Sequence, residues 1–342
     1  MAIRKSNELR PVIEQVTPVA AIVGGEFQIR GRSLAKLGRP RVTLGDVPAP
    51  IIIGSDEFVI IKVPEGVSGG ELVVENGEKA TAGWHCAVGV QIADSLHPVA
   101  NPVVDAQGNI FTTFSGSRGQ KTPVAVYKIG PDYSAQPFIA DLMNATGLAF
   151  NREGLLHISS RYDGIVYQST DDGRMSVYVE GMGIATGMAF DQEDNLYVGD
   201  RSGTIFKISP SRQIYVFATL EPSMAAYHLA FGPDGFLYVT GPTTSSYDCV
   251  YRISPAGDTE VFYRGLGRPQ GLAFDAEGRL YVAASIGGRK GIVRIDPDRR
   301  AELFLSGPNI VGQAFAPTGA MIIATNSALY RVDVGIEGKP LP

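Results

Sequence analysis

Apolar and polar residues alternate over short segments along the whole chain, and turns rich in Gly, Asp and Pro separate these segments. Alternation over four to eight residues predicts β-strands, and no segment shows the 3.6-residue period of an amphipathic helix. One segment, such as ATGMAFDQEDNLYVG, recurs with the pattern strand, turn, strand. Its four clearest copies begin at Ala145, Ala185, Ala226 and Pro269, and two weaker copies begin at Asn101 and Val311. Each copy predicts a β-hairpin.

The copies recur at a regular interval. Equivalent positions lie 40 to 45 residues apart, at Pro102, Gly147, Gly187, His228, Gly271 and Gly312. A third predicted strand follows every copy, and a fourth follows the first five. Four strands in about 40 residues are typical of a propeller blade, so the repeats predict a six-bladed β-propeller over residues 87–335. The last unit lacks a fourth strand, which we expect residues 87–93 to supply. Residues 336–342 are then a C-terminal tail.

Residues 12–84 lack this repeat and follow an N-terminal tail of residues 1–11. Their short alternating strands predict a compact two-sheet β-sandwich. The segment resembles the IPT/TIG domain through PVAAIVGGEFQIRG (Pro18 to Gly31), the VTLGD strand and turn, and its VP and NG ending. The resemblance implies an immunoglobulin-like interaction or spacer module. The predicted fold class is therefore all-β, an N-terminal immunoglobulin-like β-sandwich plus a six-bladed β-propeller, and we expect the propeller to fold without residues 1–83.

The repeat units, of the form GLAFDxxGxLYV, resemble the NHL and senescence-marker/gluconolactonase class of six-bladed propellers. If the first strand of each blade runs away from the functional face, that face consists of two sets of residues. The residues just before each first strand form a predicted ring at the channel mouth, made of Asn101, Thr146, Thr186, Tyr227, Gln270 and Val311. The loops between second and third strands add the candidate ligand contacts Arg161, Tyr162, Arg201, Tyr247 and Arg289.

The resemblance to gluconolactonases also implies a divalent metal at the channel mouth, held by side-chain oxygens that include a Glu and an Asp. Hard cations prefer such carboxylates, but Asn101 is the ring residue that matches a ligand type. Asp163, Asp200 and Asp248 could reach in from the loops. Alternatively, they form turns or pair with nearby arginines. We therefore predict no cofactor, with Ca²⁺ or Zn²⁺ only if the protein is a lactonase.

His228 is the strongest candidate for acid-base chemistry, because it replaces the Gly of the repeat and an imidazole changes charge near pH 6.5. It has no visible partner in the sequence, so a packed histidine is the alternative. No Gly-x-Ser-x-Gly motif is present, and Cys86 and Cys249 have neither metal-ligand spacing nor a disulfide pattern. Nucleophilic catalysis therefore has no support.

The charge balance limits the possible partners. The sequence contains 30 Lys and Arg residues and 35 Asp and Glu residues, so its net charge is −5. This balance argues against nucleic-acid and anionic-membrane binding. No apolar run is long enough for a membrane span, and no signal peptide is evident, which predicts a cytoplasmic protein. The mixed charges of the loops favour a protein or a small polar or anionic ligand as partner.

Two functions stay open at this point. The sequence favours a ligand- or protein-binding propeller, non-catalytic or catalytically degenerate, that uses its channel-mouth face. The alternative is a metal-dependent lactonase or hydrolase of the gluconolactonase-like class. Carboxylates that converge at the channel mouth would favour the lactonase over the binding propeller. RNA binding would require the basic loops to form one continuous patch.

Overall fold

The computed structural model describes residues 10–117, 119–244 and 248–340. All regular structure in these residues is β-strand. The part of the chain that the structure describes contains no helix that is long and apolar enough to span a membrane. The prediction of an all-β chain is confirmed.

The N-terminal region forms two antiparallel sheets over one core. Its strands are β1 (Val12–Thr17), β2 (Ala20–Ala21), β3 (Glu26–Arg32), β4 (Arg41–Leu44), β5 (Val47–Pro48), β6 (Ile51–Gly54), β7 (Phe58–Lys62), β8 (Glu71–Asn76), β9 (Lys79–Ala80) and β10 (Trp84–His85). The sheets have the orders β1-β3-β7-β6 and β10-β8-β4-β5, with β9 on β8. Phe27 and Ile29 of the first sheet and Leu44 and Leu72 of the second are fully buried in the shared core. The assignment to the IPT/TIG class stays a prediction.

Two short strands, β11 (Ala87–Val88) and β12 (Val90–Ala93), lead into six further sheets. Sheet 1 contains β13 (Val103–Val104), β14 (Ile110–Thr113), β15 (Val126–Ile129) and β16 (Ala135–Ile139). Sheet 2 contains β17 (Ala145–Phe150), β18 (Leu156–Ser160), β19 (Ile165–Ser169) and β20 (Met175–Val179). Sheet 3 contains β21 (Ala185–Phe190), β22 (Leu196–Asp200), β23 (Thr204–Ile208) and β24 (Ile214–Thr219).

The remaining sheets repeat the same order. Sheet 4 contains β25 (His228–Phe231), β26 (Leu237–Thr240), β27 (Asp248–Ile253) and β28 (Thr259–Leu266). Sheet 5 contains β29 (Leu272–Phe274), β30 (Leu280–Ile286), β31 (Arg289–Ile295) and β32 (Ala301–Ser306). Sheet 6 contains β33 (Ile310–Phe315), β34 (Ala320–Thr325) and β35 (Leu329–Asp333). Consecutive strands in each sheet are antiparallel, and the first strand of each sheet contacts that of the next, with β33 contacting β13. The six sheets therefore surround an axis.

The missing strand of sheet 6 comes from the segment before sheet 1. Strand β12 pairs antiparallel with β35, so Val90–Ala93 completes the last sheet. The predicted range of 87–93 needs correction, because Ala87 and Val88 pair instead with Ala20 and Ala21 of β2. Gly89 separates the two pairings. A Cβ at Gly89 would lie 2.7 Å from the Ile22 side chain, so only glycine permits this close passage of the chain.

Strand β2 attaches the N-terminal region to sheet 5. It pairs in parallel with β32, so sheet 5 has the order β11-β2-β32-β31-β30-β29. Ile22 N donates to Ser306 O at 3.0 Å, and Glu26 N donates to Ser306 Oγ at 2.9 Å. Ala20 and Ile22 are buried in a core formed mainly by sheets 5 and 6. The N-terminal region thus covers the outer edge of sheet 5. The sequence had predicted a propeller that folds without this region.

An aromatic layer explains the recurring Phe and Tyr of the repeat. In five sheets, one ring of the second strand packs edge-to-face against two other rings. One of these belongs to the fourth strand of the same sheet and the other to the first strand of the next sheet, with centroids 4.7 to 5.6 Å apart. These central rings are Phe111, His157, Tyr197, Tyr238 and Tyr281. Edge-to-face pairs add about 0.5–1.5 kcal/mol beyond area burial, so the layer holds adjacent sheets together.

Candidate functional site

The first strands of the six sheets enclose a cavity of about 230 Å³ on the axis. Its wall is largely apolar and includes Leu148, Met188, Leu229 and Leu272, with rings from Phe150, Phe190, Phe231, Phe274 and Phe315. Its polar members are Asn101, His228, Gln313 and Lys339. A mostly apolar cavity with a few convergent polar groups is the usual form of a small-molecule site. This axial cavity is the candidate functional site.

Glycines narrow the end of the cavity at which the sequence predicted an open mouth. A Cβ at Gly147 would lie 2.4 Å from Thr186 O, and a Cβ at Gly187 would lie 2.3 Å from Tyr227 O. Gly187 N donates directly to Tyr227 O at 2.9 Å. Neighbouring first strands are therefore in backbone contact, which requires residues without a Cβ. This close approach is the structural reason for the glycine in the repeat.

The ring residues predicted at the mouth mostly use their polar groups in hydrogen bonds within the fold. Thr186 Oγ1 donates to Gly199 O at 2.7 Å and accepts from Tyr227 N at 3.1 Å. Thr146 Oγ1 donates to Asn144 O, and the buried Tyr227 hydroxyl donates to Glu221 O. Gln270 and Val311 are half-buried, and neither borders the axial cavity. Asn101 is the ring residue that lines it.

The predicted arginine contacts bind backbone carbonyls in separate places. Arg161 Nη2 donates to Gly116 O at 3.2 Å, and Arg201 donates to Ser223 O and Met224 O. Arg289 Nη2 lies 3.4 Å from Thr17 O, at the junction with the N-terminal region, where burial lowers the pKa of its guanidinium. The structure does not bring these three side chains together. Tyr162 is exposed, and the predicted contact Tyr247 lies outside the described residues.

The carboxylates proposed as metal ligands are held in separate loops. Asp163 accepts from Ile165 N and the Tyr167 hydroxyl, and Asp200 accepts from Ile184 N and the Ser202 hydroxyl. Asp248 Oδ1 accepts from the backbone and hydroxyl of Thr243. Within residues 10–117, 119–244 and 248–340, no group of three His, Cys, Asp or Glu side chains could hold a metal. Within these residues, the donor set therefore does not fit the divalent-metal site that the resemblance implied.

His228 faces the axial cavity and is only 4% exposed. Burial lowers the pKa of its imidazole to about 4, so the ring is neutral at pH 7. A neutral imidazole carries one hydrogen-bond donor and one acceptor. Among the described residues, no hydrogen-bond partner of this ring is present, so both groups are available to a molecule in the cavity.

Gln313 is a polar member of the site that sequence reasoning missed. Its side chain is fully buried, and its Nε2 donates to Tyr281 O at 2.7 Å. Within the described residues its Oε1 has no hydrogen-bond partner, and this atom has almost no accessible surface. Asn101 lies beside it and accepts from Gln313 N at 3.1 Å. The available signal was the repeat itself, because Gln313 stands where the four clearest copies carry Leu or Met.

The C-terminal segment crosses the opposite end of the cavity, although the sequence predicted a simple tail there. Ile336 N donates to Gly319 O, Gly338 forms a β-bridge with Asp275, and Lys339 N donates to Phe274 O. Lys339 Nζ donates to Phe231 O at 2.8 Å. Burial lowers the pKa of this amine, and the Asp234 carboxylate acts in the opposite direction.

Lys339 also borders a second cavity, a groove of about 950 Å³ across the turns of sheets 3 and 4. This groove shares Phe190, Phe231, Lys339 and Pro340 with the axial cavity. This groove therefore lies on the face opposite to the predicted functional face. The groove and the axial cavity meet at Lys339.

Comparisons with known proteins identify the fold. No protein-family model matches the sequence, and neither does any curated protein. A gluconolactonase from Xanthomonas campestris aligns with a TM-score of 0.60 at 16% identity, over 75% of this chain and 90% of that one. An auxiliary nutrient binding protein from Bacteroides ovatus aligns with a TM-score of 0.56 at 13% identity, over 97% and 98%. The fold is a β-propeller.

A second auxiliary nutrient binding protein, from Bacteroides thetaiotaomicron, aligns with a TM-score of 0.58 at 10% identity, over 94% of this chain and 97% of that one. The propeller is therefore found both in a gluconolactonase and in binding proteins. At these identities the likeness concerns the fold alone. The assignment to the NHL class stays a prediction.

Proposed function

We propose that this protein is a non-catalytic binding propeller that takes up one small molecule in the axial cavity. The observation that carries the proposal is the combination of an apolar wall with two polar side chains, those of His228 and Lys339, that keep hydrogen-bonding groups free within the described residues. Such groups orient a ligand, while the apolar wall excludes water from it. The nutrient-binding names of two structural neighbours support the same interpretation.

The site offers little for catalysis. A general base needs a partner that orients it, and no carboxylate borders the axial cavity within the described residues. Hydrolysis of a lactone further requires a polarised carbonyl and an activated water, which a metal supplies in gluconolactonases. The dispersed positions of Asp163, Asp200 and Asp248 support binding over hydrolysis.

The N-terminal region is proposed to be an immunoglobulin-like unit of the IPT/TIG type that contacts a second partner. Its two sheets over one core support this proposal. The predicted contacts at the channel mouth, Arg161 and Arg201 among them, remain candidates for a protein partner, since that face is separate from the axial cavity.

A fragment screen tests the small-ligand proposal. Ala273 is half-buried and lines the axial cavity, so Ala273→Leu should fill part of the space. Fragments that bind at a concentration one hundred times their Kd should stabilise the wild type by about 2.7 kcal/mol. The variant should lose this stabilisation. The matched control, Ala225→Leu, changes an exposed alanine outside the cavity and should keep it. The proposal fails if no fragment binds, or if a folded Ala273→Leu protein binds the same fragments equally well.

A metal titration tests the lactonase alternative. Calorimetry at pH 7 with Ca²⁺ and Zn²⁺ should show no submicromolar binding, because a hard cation would exchange water for neutral oxygens alone. Sugar-lactone hydrolysis should stay at the background rate with and without metal. Submicromolar affinity combined with metal-dependent turnover would establish the enzyme instead, and His228→Ala would then show whether the imidazole takes part.

A further inference from the structure

The axial cavity has chemically different ends. His228 and Phe231 lie three residues apart on β25, which corresponds to about 10 Å along the axis. At the His228 end, the imidazole lines the cavity and forms no hydrogen bond within the described residues. At the Phe231 end, the Lys339 ammonium is bound to the Phe231 carbonyl. A ligand in the cavity therefore meets a neutral imidazole at one end and a cation at the other.

Lys339 is the charged side chain that lines the cavity within the described residues, since His228 is neutral and no Asp or Glu borders the space. An ammonium has three donors, and within the described residues Lys339 Nζ uses one of them, toward Phe231 O. It forms no salt bridge there. A partly buried cation without a counter-ion gains most from an anionic partner, because burial has removed part of its hydration.

We propose that the axial cavity binds a small organic monocarboxylate, with its carboxylate on Lys339 and an uncharged hydroxyl or amide donor on the unprotonated ring nitrogen of His228. This inference rests on the proposed function and names its ligand class. The opposite orientation is disfavoured, since the neutral imidazole has no charge to pair with a carboxylate. A dianion is disfavoured as well, because its second charge would be desolvated without a partner.

The size and lining of the cavity limit the ligand further. A volume of about 230 Å³ corresponds to about eight water molecules, so the body of the ligand is small. The apolar wall favours a hydrocarbon or aromatic body between the two polar ends. 4-Hydroxybenzoate has this form and serves as the probe. Benzoate lacks the donor, and 4-hydroxybenzamide lacks the charge.

Calorimetry of the full-length wild type at pH 7 measures the preference. 4-Hydroxybenzoate should bind at least tenfold more tightly than either benzoate or 4-hydroxybenzamide. In Lys339→Met, 4-hydroxybenzoate and 4-hydroxybenzamide should bind within twofold of each other, because the charge that distinguishes them has lost its partner. Lys207→Met is the matched control. Lys207 borders the neighbouring groove but not the axial cavity, and its ammonium lies over the Tyr197 ring. This variant should keep the tenfold preference.

The outcomes separate this inference from the proposed function. Equal binding of the acid and the amide by the wild type would overturn the monocarboxylate assignment, as would a preference that survives in Lys339→Met. If the amide binds and Ala273→Leu abolishes that binding, the cavity is a small-molecule site of another class, and the proposed function stands. If none of the three probes binds, this inference fails, and the fragment screen decides the proposed function on its own.

Discussion

Replacing Ile22 by Ala should lower the free energy of unfolding by about 3 kcal/mol. Ile22 is 1% exposed and lies between sheets 5 and 6, where its side chain reaches the backbone of Gly89 and Gly307. Alanine would leave a cavity that these backbone segments cannot fill. Denaturant titration followed by circular dichroism gives the midpoint. Ile52→Ala is the matched control, because Ile52 belongs to the same region but is 50% exposed, and should change stability by no more than about 0.5 kcal/mol.

A larger change should follow deletion of residues 1–83. The deletion removes β2, which covers the outer edge of sheet 5, and leaves Ala87 and Val88 without their pairing partner. An exposed strand edge promotes association with other chains, so we expect a lower midpoint than that of Ile22→Ala, together with aggregation. A deleted protein with the wild-type midpoint would show that the propeller is independent of the N-terminal region, as the sequence alone suggested.

Acidification from pH 7.5 to 5.0 should destabilise the protein through two buried histidines. Burial is the main cause that lowers the pKa of His157 and of His228 to about 4, against 6.5 for an exposed histidine. The unfolded chain therefore binds protons below pH 6.5 that the folded chain does not yet bind. The stabilisation is complete above pH 6.5 and decreases as the pH falls toward 4. Each histidine should contribute about 2 kcal/mol to the difference between pH 7.5 and 5.0.

Two substitutions that follow the pattern of the repeat separate the contributions of His157 and His228. His157→Phe places a ring like that of Phe111, which occupies the equivalent position in sheet 1, and His228→Gly restores the repeat residue. Each should reduce the loss of stability on acidification by about 2 kcal/mol, measured by denaturant titration at both pH values. The exposed His85 is the control, and His85→Gln should leave the loss unchanged. An equal loss in wild type and in both variants would assign the acid sensitivity to other groups.

Local patterning determined most of the propeller. The six copies of the repeat predicted the six sheets, because a strand and a hairpin depend on alternation and turn residues within about ten positions. The sequence showed the Gly of the repeat but not its structural role. Gly147 and Gly187 allow neighbouring first strands to touch, and that contact is made between residues about 40 positions apart. The sequence therefore predicted an open mouth where the structure has close backbone packing.

The candidate site depended on contacts of still longer range. Sequence reasoning included Asn101 and His228, which line the axial cavity, but it also included Thr146, Thr186 and Tyr227, whose polar groups are used within the fold. The position of a residue at the end of a first strand predicts where it lies in the fold. The hydrogen bonds that it forms with its neighbours decide whether its polar groups can still bind a ligand.

By itself, the sequence determined an all-β chain, six repeated units and an incomplete last unit, since each follows from local alternation and spacing. The tertiary structure alone decided that β2 joins sheet 5, that Gln313 Oε1 stays without a partner among the described residues, and that Lys339 lies across the end of the axial cavity. The bond from Glu26 N to Ser306 Oγ joins residues 280 positions apart, and the bond from Lys339 Nζ to Phe231 O joins residues 108 apart. Contacts of this range leave no period in a single sequence, because they depend on how complete sheets pack.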